Sequence, residues 1–427
     1  MSNPAPSPTV RPVPKGAGPL IFLIVFLDLL GVGLIVPLGP YIVERFSSTG
    51  MAVAILTLSY SAAQFLSTPC LGAISDKVGR RPVLLISVLG SAVGYVVFAL
   101  AGSLWVLYLS RILAGATGGN ISTAQAYLAD ITPPKDRAKA YGIVGAAFGL
   151  GFTLGPAISS MLAEFGLMTP VWVAAGLSLV TAGLVAMFLP ETLPAEARTE
   201  GRLRARQFNP FGMILETLKI PLVPAMLAAI FALAFAHAEL RMGLGVLLRD
   251  KFDYTEIHNA RIFTFIGLVA VVVQGGVVRK VSPWLGDRRV VLIGLPIAAL
   301  GYALIPVVPA PHWGGLLIAL GLLGLGGGIA GPSITGMLSR LAPKSEEGKV
   351  MGASQSISAL ALVFGPLAAG ELYDEVGQGW PFWTAAGIVV LALLVGVVRG
   401  VGKTRRSAAE GFGGGGRGGA SRVTLRA

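Results

Sequence analysis

Long, nearly uncharged apolar windows recur along this chain, separated by short polar turns. One set lies near residues 18–43, 52–75, 82–101, 104–130, 141–164 and 170–189, and a second near 221–246, 259–280, 289–308, 313–338, 349–372 and 380–400. About 20 residues of helix cross the roughly 30 Å hydrocarbon core of a bilayer. Inside that core a helix satisfies its own backbone groups, whereas an open sheet edge cannot. The windows therefore predict an all-α membrane protein with twelve transmembrane helices. Between the sets, residues 190–219 carry five bases, four acids and Pro190, Pro194 and Pro210, the composition of a polar linker with room for a short surface helix. From Arg399 the chain is basic and then glycine-rich through Gly413–Gly416, which favours disorder. The expected organisation is an N-terminal tail (1–17), a six-helix bundle (18–189), the linker (190–219), a second six-helix bundle (220–400) and a disordered tail (401–427).

Composition agrees with that pattern. The 427 residues are 54% hydrophobic and only 13% charged, about half the charge of a soluble domain. The net charge of +12 would suit a nucleic-acid ligand if the bases were clustered. Instead they follow topology. With the N-terminus taken as cytoplasmic, the segments on that side hold 27 of the 33 Lys and Arg, and the opposite loops hold Arg45, Arg249, Lys251 and Arg261. Such a split is the positive-inside pattern. It predicts a multi-pass protein of the plasma (inner) membrane with both termini cytoplasmic, and no nucleic-acid partner. The proline-rich N-terminus leads into a long span without a cleavage site, so no signal peptide is expected. A single cysteine, Cys70, excludes an internal disulfide and reads as a small packing residue.

The two sets are related. A shift of 210 residues brings Leu113 onto Leu323, Gly118 onto Gly328, Pro133 onto Pro343, Lys139 onto Lys349, Gly142 onto Gly352 and Gly155-Pro156 onto Gly365-Pro366. A parallel repeat of six spans implies two bundles about an axis along the membrane normal, with a central site between them. The most distinctive turn is Gly72-Ala-Ile-Ser-Asp-Lys-Val-Gly-Arg-Arg-Pro82. It is flanked by residues 51–71 and 82–110, which carry no charge. Glycines permit a tight reversal, and Pro82 suits the first turn of the next helix.

That turn, with Gly72, Asp76, Gly79, Arg80 and Arg81, resembles the signature loop of the major facilitator superfamily between its second and third helices. Leu30-Gly31 followed by Pro37-Leu38-Gly39-Pro40 resembles the first-span pattern of the superfamily's twelve-helix drug:proton antiporter branch. Arg111-x-x-x-Gly115-x-x-Gly118-Gly119 resembles its intramembrane arginine motif. Gly151-x-x-x-Gly155-Pro156 resembles the antiporter motif, with Ser159-Ser160 where the family pattern ends in Gly-Gly. Gln64-Phe65, Gly79 to Leu85 and Phe263 to Gly267 are similar to the tetracycline-efflux group, which carries an acid where Gly94 stands here before Tyr95. The resemblance implies the major facilitator fold, with two six-helix bundles around a central cavity and rocking alternating access. It also implies a proton-driven exporter of small amphipathic compounds that needs no cofactor, works as a monomer and has protons, its cargo and the bilayer as partners. A major facilitator symporter for a sugar or metabolite is the alternative reading. A membrane-embedded enzyme or sensor is further off, since no nucleophile–base or metal arrangement is present.

Among the charges, Asp28 lies deep in the first span with no base nearby in sequence. An ionisable group at that depth marks function by default. It can trade its charge for a proton, so proton and cationic cargo could compete for one carboxylate. Glu239 in the seventh span resembles an acid common in this branch and is the second candidate for proton or substrate coupling, with Arg241 and His237 near it in sequence. His237 and Glu239 stand two apart and face different sides of a helix, so no metal pair is expected. Arg111 stays charged in the fourth span and needs a carboxylate, carbonyls or water. By resemblance it belongs to the proton-coupling machinery. Gln64, Asn120, Gln125, Gln274 and Gln355 are cavity-lining candidates. Asp76 is placed to cap a helix start in the other half, and Arg80 to pair with both Asp76 and Asp130, as a latch. Gly326-Gly327-Gly328-Ile329-Ala330-Gly331 matches a dinucleotide-type pattern, but it sits in an apolar span without the preceding strand and reads as helix packing. The absence of a Lys-Ser nucleotide loop argues against drive by ATP.

Overall fold

A computed structural model describes residues 16–132, 137–194, 196, 198, 210–341 and 347–394. The expected tails, most of 195–209 and the Pro133–Pro343 pair of the repeat lie outside the described residues. Among the described residues, twelve helical rods run antiparallel to their sequence neighbours. In the first half they are α1 (Ala17–Glu44), α2 (Gly50–Val78), α3 (Arg80–Ala99), α4 (Leu104–Ala116 with Asn120–Ile131), α5 (Arg137–Ala163) and α6 (Thr169–Phe188). In the second they are α7 (Val223–Asp250), α8 (Glu256–Val277, continued by Val278–Leu285), α9 (Asp287–Val307), α10 (Trp313–Leu341), α11 (Glu347–Glu371 with Leu372–Val376) and α12 (Trp380–Leu394). Nine of these, among the described residues, are long and apolar enough to cross a membrane by themselves.

Local chemistry sets the ends. Pro170 and Pro224 occupy the first turns of α6 and α7, where a missing N–H costs nothing. The reversal between α2 and α3 takes one residue, Gly79, at φ +119°, a conformation that favours glycine. The matching reversal in the second half takes Gly286, at φ +77°. The fourth span is not one continuous helix as expected. It breaks at Thr117–Gly119, where Gly119 packs onto Leu71 and Gly118 meets Gln64. Residues 210–217 of the linker form a short helix that packs on α11.

The repeat is visible in the packing. α5 lies along α1 and α11 along α7, and in each pair a Gly-Pro helix meets the first helix of its own half. A Cβ on Gly155 would stand 2.6 Å from Gly33 Cα, and one on Gly365 would stand 2.6 Å from Ala238 Cβ. The halves meet crosswise, α2 against α11 and α5 against α8. The loop carboxylate and base also recur with reversed charge. Arg80 pairs with Asp130 at the end of α4, and Asp287 pairs with Arg340 at the end of α10. The triple glycine is packing, as its sequence suggested: Gly326 abuts Ala298 of α9, and Gly328 abuts Val273 of α8.

Gly155→Val should overpack the α1–α5 contact. The expected cost is about 1–3 kcal/mol, read as a lowered melting temperature of the purified protein in detergent, with Gly155→Ala intermediate.

Candidate functional site

Among the described residues, a group of hydrogen bonds between the halves lies at one end of the bundle, opposite the basic turns. That end is bounded by Gly50, Asp253 and Val376. Asp374 of α11 accepts hydrogen bonds from the backbone N–H groups of Gly50 (2.9 Å) and Met51 (2.8 Å) at the start of α2. A carboxylate on a helix N-terminus is a charge-assisted cap. Thr49 adds its own cap to Ala52. Tyr41 donates to the Tyr254 carbonyl (2.5 Å), Asn259 to the Pro37 carbonyl (2.5 Å), and Arg249 to the Pro40 and Ser48 carbonyls (3.4 Å each). Arg249 is itself held by Asp250 at 2.5 Å, which accepts from Tyr373. This end of the molecule is shut.

At the basic end, Arg80 is clasped by Asp76 (2.5 Å), Asp130 (3.1 Å) and the Ser75 hydroxyl (2.6 Å). Glu191 caps α3, accepting from the Arg80 and Arg81 N–H groups at 2.9 and 3.1 Å. The Arg81 guanidinium donates to the Ala186 carbonyl. All these partners belong to the first half or its exit. Asp76 is 51% exposed and bonds Arg80 rather than a helix start in the other half. A cap between the halves is made at the opposite end, by Asp374 on the start of α2. Around Gly72 there is open space.

Midway along the bundle, Asp28 is 9% exposed on α1 with the Asn120 side chain beside it. Asp28, Arg111 and Arg241 all bear electrostatically on the Tyr60 hydroxyl, and Asp28 and Arg111 on that of Tyr95. Gln64 donates to the Tyr60 oxygen (3.2 Å) and to the Gly118 carbonyl (3.0 Å), tying Tyr60 to the break in α4. Arg111 lies within the first half, over the Phe98 ring at 4.5 Å and the Tyr95 ring at 5.2 Å, and its Nε and Nη2 have no hydrogen-bond partner. Gln125 is half-buried on α4. Gln274, in the π-helical turn Val273–Val277, and Gln355 of α11 are exposed. Gly151 and Gly155 pack on Leu29 and Gly33, bringing α5 against the segment that carries Asp28. Pro156 lies inside α5, one turn after Phe152. There Gly267 of α8 makes its close approach.

Glu239 stands apart. It is 1% exposed, with Oε1 accepting from Thr384 of α12 at 3.2 Å, Oε2 unpartnered, and Tyr302 of α9 within its field. It faces the interior of the second half, not the space shared with Asp28.

A family model, the Major Facilitator Superfamily, matches residues 21–285 and 281–425. The chain belongs to the major facilitator superfamily. It is 30% identical over 382 residues to the class C tetracycline resistance protein of Escherichia coli, covering 88% of this chain and 95% of that one. It is 29% identical over 373 residues to multidrug resistance protein 2 of Bacillus subtilis, covering 86% and 91%. These relatives place it in the tetracycline-efflux-like group. The crystal structure of the human organic anion transporter MFSD10 superposes with a TM-score of 0.70 at 26% identity, over 89% of this chain and 99% of that one. A major facilitator chain of this group is a multi-pass membrane transporter.

The resemblance implied an acid where Gly94 stands, and the packing around that position is close. A Cβ on Gly94 would lie 2.9 Å from Ala114 Cβ and 3.2 Å from the Ser110 carbonyl, so α3 and α4 close over that position. Sequence reasoning passed over Tyr60, Asp374, Glu191, Arg249 and Asn259. Asp374 carried a faint signal, as an acid just before Gly377 at the end of an apolar window. The others carried none, because their partners come from distant elements.

Asp374→Asn should weaken the cap on α2 by about 1 kcal/mol, a shift of roughly fivefold toward opening of that end. Spin labels at Phe46 and Val376, in a Cys70→Ser background, should show a larger long-distance population by pulsed electron–electron resonance.

Proposed function

We propose that the protein is a proton-coupled secondary transporter that exports small amphipathic compounds by alternating access. The observation that carries this reading is Asp28, a carboxyl buried midway along α1 beside Asn120, whose charge acts on Tyr60. A solitary acid at that depth is costly unless it works with a proton or a ligand. The excess of Lys and Arg on one side supports a cytoplasmic location for the basic turns and both termini, in the inner membrane. In that orientation the Asp374 cap would lie at the outer end, which supports reading this arrangement as inward-facing. The relatives' tetracycline, multidrug and organic-anion descriptions support small amphipathic cargo and leave its charge open.

In this scheme Asp28 exchanges a proton with the cavity. Gln64, Asn120, Gln125, Gln274 and Gln355 are its candidate polar lining. Arg111 tunes the field at Tyr60 and Tyr95 from within the first half. Glu239 is a second candidate for titration, reached from inside the second half rather than from the cavity. Gly151, Gly155 and Pro156 keep α5 tight on α1 and able to meet α8. The Asp76–Arg80–Asp130 cluster gates the cytoplasmic end. When that end closes, exposed Asp76 gains a partner across the halves, while the Asp374 cap breaks. The units that rock are the two bundles, 18–189 and 220–400, joined by the linker 190–219.

In everted vesicles energised with a proton gradient and offered cationic dyes, tetracyclines and neutral antibiotics, the protein should accumulate at least one class. Asp28→Asn should abolish gradient-driven uptake while the protein remains in the membrane at the wild-type level. Undiminished, gradient-dependent uptake in that variant would clear Asp28 of the role. Separately, Asp76→Asn should slow turnover by about tenfold at unchanged abundance, the effect of about 1.4 kcal/mol on the barrier. Normal turnover would remove the gate from the scheme.

A further inference from the structure

Arg241 on α7 is a cation facing the other half without an acid to match it. Its guanidinium lies over the Phe152 ring of α5 at 4.5 Å, so it reaches from the second half onto the first. None of the ion pairs among the described residues includes it. Glu239, two residues earlier, is turned away toward Thr384 and Tyr302. His237 is one turn before Arg241 on the same helix face, is exposed although it lies mid-span, and has Arg241 as its neighbouring charge. Since that face is directed at α5, the exposure of His237 is to the space between the halves. The only acid described in that region, Asp28, is beside Asn120. The charge around Tyr60 is thus one carboxyl against two guanidiniums, Arg111 and Arg241.

A guanidinium does not lose its proton, so this excess of positive charge cannot be relieved by titration. An unpaired cation in a low-dielectric site is destabilising until an anion joins it. In a transporter, a partner that can bring that negative charge and leave again with each cycle is the cargo. We propose that the cargo is an amphipathic organic anion, its carboxylate or similar planar anionic group held by Arg241 with His237 beside it, and its apolar body against Phe152 and Tyr60. The guanidinium plane stacks on a ring while its N–H edges remain available for a two-point bond to a carboxylate. Because Arg241 and Phe152 come from opposite halves, one bound molecule touches both. The proposal rests on the transport reading above and narrows it: Asp28 handles the proton, and Arg241 handles the charge of the cargo, which is then not the cation that a lone acid would suggest.

Binding tests this without any gradient. Purified full-length protein in lipid nanodiscs would be titrated with three probes sharing one apolar body: 1-pyrenebutyrate, its amide, and 1-pyrenebutylamine. The wild type should bind the carboxylate at least about tenfold more tightly than the amide, and the ammonium most weakly. Arg241→Gln should remove about tenfold of carboxylate affinity and leave the amide within about twofold, and Arg241→Lys should restore part of the loss. A merely structural arginine would weaken all three probes together, and that result would overturn the proposal. Wild-type protein that binds the ammonium as tightly as the carboxylate would overturn it too, and this arm needs no variant to fold. Loss of gradient-driven export in vesicles is a separate outcome. It would sink proton coupling while leaving the charge preference measured here intact.

Discussion

A charge within an apolar span must have a partner, and that requirement organises the molecule. Hydrocarbon supplies no water to stabilise an ion, so each charged group in the bundle is placed against something specific. Asp28 has Asn120, Arg111 has the faces of Tyr95 and Phe98, Glu239 has Thr384, and Arg241 has Phe152. In none of these four is the partner an opposite full charge. Among the described residues, the pairs that join opposite charges, Arg80 with Asp76 and Asp130, Arg249 with Asp250 and Arg340 with Asp287, lie at the two ends of the rods. Charge is neutralised where the protein is built and left incompletely answered where a mobile species could answer it.

The duplicated architecture explains why the ends work as they do. In both halves a glycine at positive φ reverses the chain into the third helix, and a charged residue just after it reaches the end of the fourth. Asp130 and Arg340 are 210 residues apart, the shift that aligns the two sets of spans, yet they carry opposite charge. The interaction has been kept while its polarity is exchanged. A pair of this kind depends on the geometry of the reversal, so either arrangement of acid and base closes the same corner.

Much of the fold was legible because lipid solvation imposes long, simple patterns. The twelve windows, the parallel repeat and the Gly79 reversal follow from hydropathy and from one residue type at one φ. The clasp of Arg80 by Asp76 and Asp130 was also anticipated, because the acids and the base flank one turn. Contacts between halves were harder to read. Asp76 was expected to cap a helix start across the interface, a step that depends on which end of the bundle is closed. The cap between halves that the structure does show, from Asp374 to Gly50, joins residues 324 apart in the chain and carried no sequence signal of its partner. Glu239 was read as a second coupling candidate beside Asp28, and it too lies in the first span of its half. A difference of one residue in the 210-residue register turns it into its own bundle. The break in α4 hid within an apolar window because a three-residue interruption barely alters hydropathy.

The lock at the sealed end shows how such a structure can be firm and still reversible. Tyr41, Asn259 and Arg249 donate to backbone carbonyls of the opposite half, and Asp374 accepts from backbone N–H groups. Each bond contributes about 0.5–1.5 kcal/mol net, because water at an opened rim would replace it. Several together bias the end toward closure. None is an ion pair between the halves, which would leave a bare charge on separation. The acid and base that do pair there, Asp250 and Arg249, sit on the same helix and would move together. Opening therefore exchanges protein partners for water without stranding a charge. A bias of that size is small enough to be overcome by binding events elsewhere in the bundle.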